Sequence, residues 1–502
     1  AMKRRVPFIL FVLTLALSMF APPGPEALGA DEQLRRDLAA LDPTEHIRRL
    51  SAIPSRFTGY PGCAEAERYV REQYEALGLA DVRLEPFQII VPVEKNATLT
   101  VAGNDIPIHC LRPNYLRTPK TPETGITGRL VWGGQGRLRD FNHKEVQGNF
   151  VLMEFNTATR WINAAKLGAR AIIFIEPHNA FRADAEQKYS SVPIPTPRYY
   201  LQRRHLPALA SAAGAPSGSL DEQSAYDFLQ TLGAAQSDAS SKATAVADMV
   251  WEESTVNMIS GEIPGTDPDL GRQTLVVHAY YDSTSVVPAQ SPGAENACGI
   301  ATQLEIARFL LRHPPRRTVK LLATPGHFQA LAGVRAYAFH TIYPRRAEVT
   351  GNAQKARAGE PHFFIGLDVS SRHNTIAAFY KGNFYDQYTT KEEIKLQRIF
   401  ADYSRQLEDW AEEILGTGGV VPELEYQSGI VPQHGRDWRS LLPDLAAFDS
   451  ELITLSGRPA VTLATTGDPR NAVNSPADTF EQLEPYLQNV RNQAMVCAYV
   501  VK

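Results

Sequence analysis

Hydrophobic and polar positions follow two alternating patterns in the second half of the chain. Short continuous apolar runs, which are typical of strands buried on both faces, alternate with stretches whose apolar residues recur at helical spacing. This alternation favours an α/β fold with a mostly parallel, mixed sheet and helices on both faces. The predicted buried strands are 274–279, 319–323, 363–369 and 459–464, and the predicted helices are 299–311, 331–339, 391–407 and 483–500.

The first half of the chain has a different pattern of apolar residues. Residues 42–78 carry apolar residues at helical spacing, and residues 82–93 alternate like edge strands. From residue 99 to residue 248 the chain changes to short strand-like phrases such as GRLVWGGQGRLRDFN, GNFVLMEFN and AAKLGARAIIFIEP. The pattern therefore predicts a main domain built from 31–98 and 249–502, with a separate unit inserted over 99–248.

A basic and then apolar segment opens the chain. KRR at 3–5 precedes a mostly apolar run over 6–21, and LGA at 28–30 is a plausible cleavage site. This order is typical of a signal peptide over residues 1–30, whereas the run is short for a membrane-spanning helix. We therefore expect an exported protein, either periplasmic or extracellular, with an uncleaved segment attaching it to a membrane as the alternative.

Composition excludes several classes of function. The 502 residues carry a net charge of −4, and no basic patch indicates nucleic acid as a partner. The four cysteines, at positions 63, 110, 298 and 497, form no Cys-x-x-Cys pair, which argues against a disulfide scaffold and against a cysteine metal site. One disulfide stays possible. The sequence contains neither a Gly-x-Ser-x-Gly motif nor a phosphate-binding P-loop.

Several phrases in the two predicted halves of the main domain resemble one family. TLVVHAYYD at 274–282, PGAENACGIATQLEIARFL after it and RFTGYPGCAEAERYVREQYEALGL near the N-terminus resemble the M28 di-zinc aminopeptidases. That family pairs a strand ending in His-x-Asp with Pro-Gly-Ala and an Asp-Asn helix start. The resemblance covers 40–95 and 250–500 and implies an M28-like fold. The phrases within 99–248 resemble the protease-associated (PA) domain, which implies a β-rich insert.

The resemblance also implies five zinc ligands and a glutamate base, and this chain departs from that pattern early. The first ligand position holds Tyr280 instead of histidine, while Asp282 is kept in the position that orients the ligand. A neutral phenol, with a pKa of about 10, is a poor zinc ligand. The bridging aspartate falls on Glu295, one residue out of the usual spacing.

The later motifs depart further. The alignment places His327 at the general-base position and Phe328 at the next ligand position, and a shift of one residue would place Gly326 and His327 there instead. Asp368 matches the fourth ligand, and Asn474 stands where the family has its last histidine. Phenylalanine cannot coordinate zinc at all, so two zinc ions would lack ligands.

These departures lead to two hypotheses. The first is an exported M28-like protein that has lost its metal cofactor and its peptidase chemistry, and that binds a protein or peptide as a scaffold. The alternative is a divergent metal-dependent aminopeptidase or amidohydrolase with one divalent metal, such as zinc, on Glu295, Asp368 and His327. Without metal, we expect Glu295 and Asp368 to face each other with His327⁺ neutralising them, and His278 to be a hydrogen-bonded core residue.

In either case, the ligand-position residues should lie together at the carboxyl ends of the strands, where sites form in such folds.

Overall fold

The computed structural model describes residues 32–114, 117–189, 194–216, 218, 220–233, 242–342, 361–379, 382, 425–428, 447–456 and 458–502. The predicted signal peptide at 1–30 and the predicted helix at 391–407 lie outside these residues. Within the described ranges, none of the helices combines the length and the apolar character needed to cross a bilayer.

The described strands join into one mixed sheet, in the order β13-β12-β14-β11-β9-β10-β8-β4-β5-β6-β7-β3, with β1 paired to β8 and β2 paired to β1. Their bounds are β1 Ala80–Val101, β2 Asn104–Pro107, β3 His109–Cys110, β4 Ile126–Gly134, β5 Phe150–Glu154, β6 Ala171–Ile175, β7 Arg198–Leu201, β8 Lys242–Ile263, β9 Thr274–Tyr280, β10 Thr318–Thr324, β11 Phe363–Asp368, β12 Thr375–Phe379, β13 Glu425–Ser428 and β14 Ala460–Thr465.

Helices pack against this sheet. Those in the described part of the chain are α1 Glu32–Ala39, α2 Thr44–Ser51, α3 Pro61–Leu77, α4 Trp161–Lys166, α5 Arg182–Glu186, α6 Leu206–Ala212, α7 Glu222–Leu229, α8 Ala294–Arg312, α9 Ala332–Tyr337, α10 Asp449–Leu455, α11 Phe480–Leu483 and α12 Leu487–Val501. A π-helical turn at Ala338–Ile342 extends α9.

The strands β14, β11, β9 and β10 form the parallel centre of the sheet. Their continuous apolar runs are buried almost throughout, as expected for strands covered on both faces. Helix α8 is also buried along most of its length, in the same hydrophobic cluster as α3 and α12. The predicted α/β fold with a mixed, mostly parallel sheet is therefore confirmed.

Several element boundaries differ from those predicted. Residues 42–78, which carry apolar residues at helical spacing, form two helices, α2 and α3. Helix α8 begins at Ala294, five residues before the predicted start, because Gly293 adopts a left-handed φ of 60° and allows the chain to turn into the helix beneath Ser283. Side-chain periodicity carries no signal for such a turn, so the sequence pattern located the helix but not its start.

The segment 99–248 contributes its own parallel group, β4-β5-β6-β7, and a second hydrophobic cluster. The long antiparallel pair β1 and β8 runs through both parts of the chain, so the predicted domain boundaries at 98/99 and 248/249 fall inside these two strands. The PA-like identity of the segment remains a prediction. All four cysteines are free and buried, so none forms the disulfide that the sequence left open.

Candidate functional site

The candidate site lies where the four central parallel strands end. Tyr280 is the last residue of β9 and Asp368 is the last residue of β11. His327 follows β10 by three residues, and Arg470 follows β14 by five. Because the carboxyl ends of neighbouring parallel strands meet at one edge of the sheet, these four side chains converge there.

Asp368 is held by two donors from neighbouring strands. The Tyr280 hydroxyl donates to its Oδ1 at 3.0 Å, and Arg470 Nη1 donates to the same oxygen at 2.9 Å. Arg470 Nη2 also donates to the Asp368 carbonyl oxygen at 2.9 Å. Burial opposes the charge on Arg470, but the Asp368 carboxylate outweighs it and raises the pKa of the guanidinium above its ordinary value. The positive charge that balances the Asp368 carboxylate therefore comes from an arginine of the same chain.

His327 forms a second buried ion pair. Its Nδ1 lies 2.8 Å from Asp449 Oδ2, in the first turn of α10. Burial disfavours the imidazolium, but Asp449, with Asp282 and Asp368 further away, outweighs that effect and raises the pKa of His327. A carboxylate on Nδ1 also fixes the orientation of the ring and directs Nε2 away from α10.

His278 lies behind this pair. Its Nδ1 is 3.8 Å from Asp449 Oδ2, and its Nε2 is 2.8 Å from the Thr324 hydroxyl. Burial lowers the pKa of His278 to about 4, so the ring is neutral near pH 7. The residue is a hydrogen-bonded core histidine, as its position deep in β9 indicated.

Aromatic rings connect the two ion pairs. The Tyr280 ring stacks on the His327 ring with centroids 4.0 Å apart and planes 21° apart. Phe328 contacts both rings edge-on, at 5.5 Å from Tyr280 and 4.7 Å from His327. Burial raises the pKa of Tyr280 well above its ordinary value, and the nearby Asp368 adds to the effect. Tyr280 is therefore a neutral hydrogen-bond donor.

Asp282 lies beneath the His327 turn. Its Oδ2 accepts hydrogen bonds from the Thr58 hydroxyl at 2.8 Å and from the Gly326 backbone amide at 3.0 Å. Gly326 has a φ of 78°, which a residue with a side chain adopts only under strain. Burial raises the pKa of Asp282 to about 6. The carboxylate thus fixes the turn that presents His327 and Phe328.

Glu295 occupies a neighbouring but distinct position, at the start of α8. Its two carboxylate oxygens accept from the Ser371 amide at 2.8 Å and the Ser371 hydroxyl at 2.5 Å. Burial, together with the nearby Asp468 and Asp478, raises the pKa of Glu295 to about 8. In the described residues, no hydrogen bond or ion pair joins Glu295 to Asp368 or His327.

Asn474 faces α5. It adopts a φ of 66°, and its Nδ2 donates to Glu186 Oε1 at 2.9 Å. Glu186 also pairs with Arg182 at 2.6 Å. Asn474, the last position of the predicted ligand set, is thus hydrogen-bonded to a carboxylate from the 99–248 segment. The sequence motif around Asn474 did not predict this contact.

The structure brings Tyr280, His327, Phe328 and Asp368 into one cluster. Glu295 and Asn474 lie beside it with other partners. One expectation is wrong: His327 does not neutralise a Glu295–Asp368 pair, because Asp449 holds its Nδ1 and Arg470 holds Asp368.

Two residues of the site, Asp449 and Arg470, were not expected from the sequence. Arg470 lies only four residues before Asn474, so a scan of that motif for charged neighbours could have found it. Asp449 has no comparable signal. Its place near His327 depends on the packing of α10.

The donors present do not fit a two-zinc centre. Tyr280 keeps its proton, Phe328 has no donor atom, and Asp368 already accepts from a guanidinium. Among the described residues, no group of three or more His, Cys, Asp or Glu side chains is arranged to hold a metal ion. Zinc needs about four such donors that are free to bind it.

Comparisons with known proteins relate the chain to peptidases. Residues 258–418 match the family model described as peptidase family M28. The chain is 27% identical to aminopeptidase YwaD of Bacillus subtilis (strain 168) over 315 residues, which are 61% of this chain and 59% of that protein. The match thus spans about three fifths of the length of that relative.

Solved structures share the fold. The zinc aminopeptidase BSAP from Bacillus subtilis has a TM-score of 0.52 at 18% identity, over 92% of this chain and 94% of that chain. A peptidase M28 precursor from Shewanella amazonensis SB2B has a TM-score of 0.51 at 14% identity, over 93% of this chain and 94% of that chain.

The chain therefore has the fold of the M28 aminopeptidases. Its segment 258–418 is similar to peptidase family M28, and the resemblance predicted from the sequence is confirmed to this extent. The PA-like insert and the loss of metal ligands remain predictions.

Proposed function

We propose that this protein is an exported, M28-fold peptide-binding protein in which Arg470 takes the electrostatic place of the metal ions. The observation that supports it is the pair of 2.9 Å hydrogen bonds from Arg470 to Asp368. A guanidinium supplies a permanent positive charge that cannot be released in the physiological pH range. It has no free coordination position with which to activate water, so the hydrolytic chemistry of a metal is absent from this arrangement.

A peptide is the ligand class that the fold and its surroundings favour. The family acts on peptides, and half-buried polar and aromatic groups line the edge of the cluster. Arg112 lies there, with its guanidinium 5.1 Å from the Tyr189 ring and its Nη2 at 3.4 Å from the Phe328 carbonyl oxygen. Such long hydrogen bonds leave the guanidinium able to pair with a peptide carboxylate.

A second candidate is a divergent metal-dependent aminopeptidase or amidohydrolase. The similarity of this chain to the aminopeptidase YwaD favours this candidate, and so does its similarity in fold to the zinc aminopeptidase BSAP. It would need Glu295, Asp368 and His327 to exchange their protein partners for one metal ion. His327 Nε2 makes no hydrogen bond to the described residues, so it is the donor most readily available.

Metal content separates the two candidates. Protein purified without chelator would be analysed for zinc, manganese and cobalt, and assayed with leucine p-nitroanilide in each added metal. We expect no stoichiometric metal and no turnover. Turnover with bound metal would overturn the proposal, and a single equivalent that disappears in His327→Ala would establish the one-metal alternative.

Binding is tested on the same protein. A mixture of unblocked tripeptides would be examined by saturation-transfer NMR with the wild type, with Arg112→Ala and with the matched control Arg139→Ala, whose side chain is exposed. We expect transfer to the wild type and to the control, and its loss in Arg112→Ala. Equal transfer to all three proteins, or to none, would contradict a peptide site at Arg112.

A further inference from the structure

Two basic side chains lie in the interior of the 99–248 segment without a carboxylate at ion-pair distance among the described residues. Lys188 is fully buried and Arg198 is 3% exposed. Neither makes an ion pair with any described residue. A buried charge without a counter-charge is expensive, so proteins normally pair such groups.

The surroundings of Lys188 are mostly aromatic. Its Nζ donates to the Thr157 hydroxyl at 3.1 Å and to the Ala158 carbonyl oxygen at 3.2 Å. It also lies 5.2 Å from the Phe155 ring and 5.1 Å from the Phe174 ring. An ammonium group has three N–H donors, and the hydrogen bonds made here use only two of them.

Arg198, the first residue of β7, has even fewer partners. Its guanidinium lies 5.2 Å from the Trp161 ring, and Nε and Nη1 are buried with no hydrogen-bond acceptor among the described residues. Burial lowers the pKa of Arg198 to about 10, so the group stays charged near pH 7. Orphaned donors on a charged, buried side chain are rare in folded proteins and indicate an unassigned partner.

The two cations face the same part of the core. Arg198 lies opposite Ile172 in the register of the parallel strands β6 and β7. Phe174, two residues further along β6, lies on the same face of the sheet as Ile172. Phe174 is also the ring beneath Lys188. Burial lowers the pKa of Lys188 to about 7, and the like charges of Arg160 and Arg198 add to the effect, against the attraction of Asp184. A bound anion would hold the amine in its charged form.

Nearby carboxylates do not resolve this repulsion. Asp184 attracts Lys188, but its Oδ1 accepts from the Ala158 amide at 2.7 Å and it forms no ion pair with either cation. Residues 190–193, which lie outside the described ranges, have the sequence SSVP and include no acidic residue.

We propose that a small monovalent anion of the halide class binds between Lys188 and Arg198. It would accept from the free N–H donors of the guanidinium and from the third N–H of the ammonium. The enclosed, aromatic surroundings favour a small ion with one charge over a phosphate or sulfate, because a larger oxyanion needs more donors than these two side chains provide.

The site also bears on the candidate functional site. Tyr189 follows Lys188 in the chain, and its ring packs against the Arg112 guanidinium. An anion that fixes Lys188 therefore helps to fix one wall of the peptide site. The anion proposal itself rests on Lys188 and Arg198 alone and stands whether or not the proposed function is correct.

Bromide provides the test, because its anomalous scattering identifies it. Crystals of the full chain grown in gluconate and soaked in sodium bromide should show an anomalous peak within hydrogen-bond distance of Arg198 Nε or Nη1. Occupancy of a native-state site should also raise the Tm of the wild type by a few degrees over sodium gluconate at equal ionic strength.

Substitution of either proposed anion-binding residue tests whether the effect of bromide on Tm arises at this site. The bromide shift should vanish in Arg198→Gln and in Lys188→Met, and persist in the control Arg139→Ala. If the variants fail to fold, the anomalous map of the wild type still decides. Absence of a peak at Arg198, or an equal bromide shift in wild type and folded Arg198→Gln, would overturn the proposal.

Discussion

The Arg470 guanidinium contacts Asp368 twice, donating to its Oδ1 and to its backbone carbonyl oxygen, both at 2.9 Å. Asp368 is the only residue in the predicted ligand set that keeps the family's own amino acid at a zinc position, according to the resemblance. Arg470 therefore binds the carboxylate on which a metal site would most depend. Arg470 lies in the loop after β14 that also contains Asn474.

Restoring the family residues should fail unless Arg470 is also removed. The fourfold variant Tyr280→His, His327→Glu, Phe328→Glu, Asn474→His should still bind no metal, because the guanidinium competes for Asp368. Adding Arg470→Ala should allow zinc to bind, since residues that act as a unit are strongly non-additive. Elemental analysis of both variants measures this. Zinc bound by the fourfold variant would mean that Arg470 is no barrier.

Breaking the Arg470–Asp368 pair should be strongly destabilising. Each single variant, Arg470→Met or Asp368→Asn, leaves an uncompensated buried group, and we expect a loss of about 3–5 kcal/mol in the free energy of unfolding. The double variant should lose much less than the sum of the two. Urea unfolding measures the cycle. Additive losses would show that the two groups do not interact as described.

The stability contributed by His327 should decline with rising pH. Its pKa is raised in the folded state by Asp449, against the effect of burial, so the contribution is complete below the unfolded pKa of about 6.5. It is lost as pH rises through the folded pKa, by about 1.4 kcal/mol for each unit of separation.

The comparison of wild type with His327→Gln measures this effect at neutral and alkaline pH. At acidic pH the variant also changes His278, which shares Asp449 with His327 and whose pKa the His327 charge helps to lower. The pKa of His278 is lowered to about 4 by burial, so that residue alone makes the fold less stable as pH falls below the unfolded value. The control is His340→Gln, at an exposed histidine. A wild-type advantage over His327→Gln that does not shrink above neutral pH would contradict the Asp449 pairing.

Glu295→Gln should stabilise the protein near neutral pH. Burial raises the pKa of Glu295 to about 8, so the wild type loses stability as pH rises from the unfolded value of about 4.3 through that range. A glutamine resembles the protonated acid and avoids that loss, which we expect to exceed about 1 kcal/mol.

The measurement for this variant is the free energy of unfolding against pH, with Glu72→Gln as the exposed control. The advantage of Glu295→Gln should grow between mildly acidic and mildly alkaline pH and be absent below the unfolded pKa. A glutamine variant that is less stable at every pH would show that Ser371 requires the charged carboxylate.

The fold class and the positions of the central strands follow from the pattern of apolar residues along the chain. Buried parallel strands leave a signal in every residue, because both faces must be apolar, and β9, β10, β11 and β14 were located to within about a residue at each end. The family phrases placed Tyr280, His327 and Asp368 at strand ends, and the topology then required them to converge.

The hydrogen-bond partners of those residues depend on tertiary packing and could not be predicted from the chain pattern. Asp449 reaches His327 from α10, and Glu186 reaches Asn474 from α5, over separations of 122 and 288 residues. Hydrophobic periodicity reports which face of an element is buried, not which charged side chain arrives from a distant one. The partners of the site, and with them its charge balance, were fixed only when the helices packed onto the sheet.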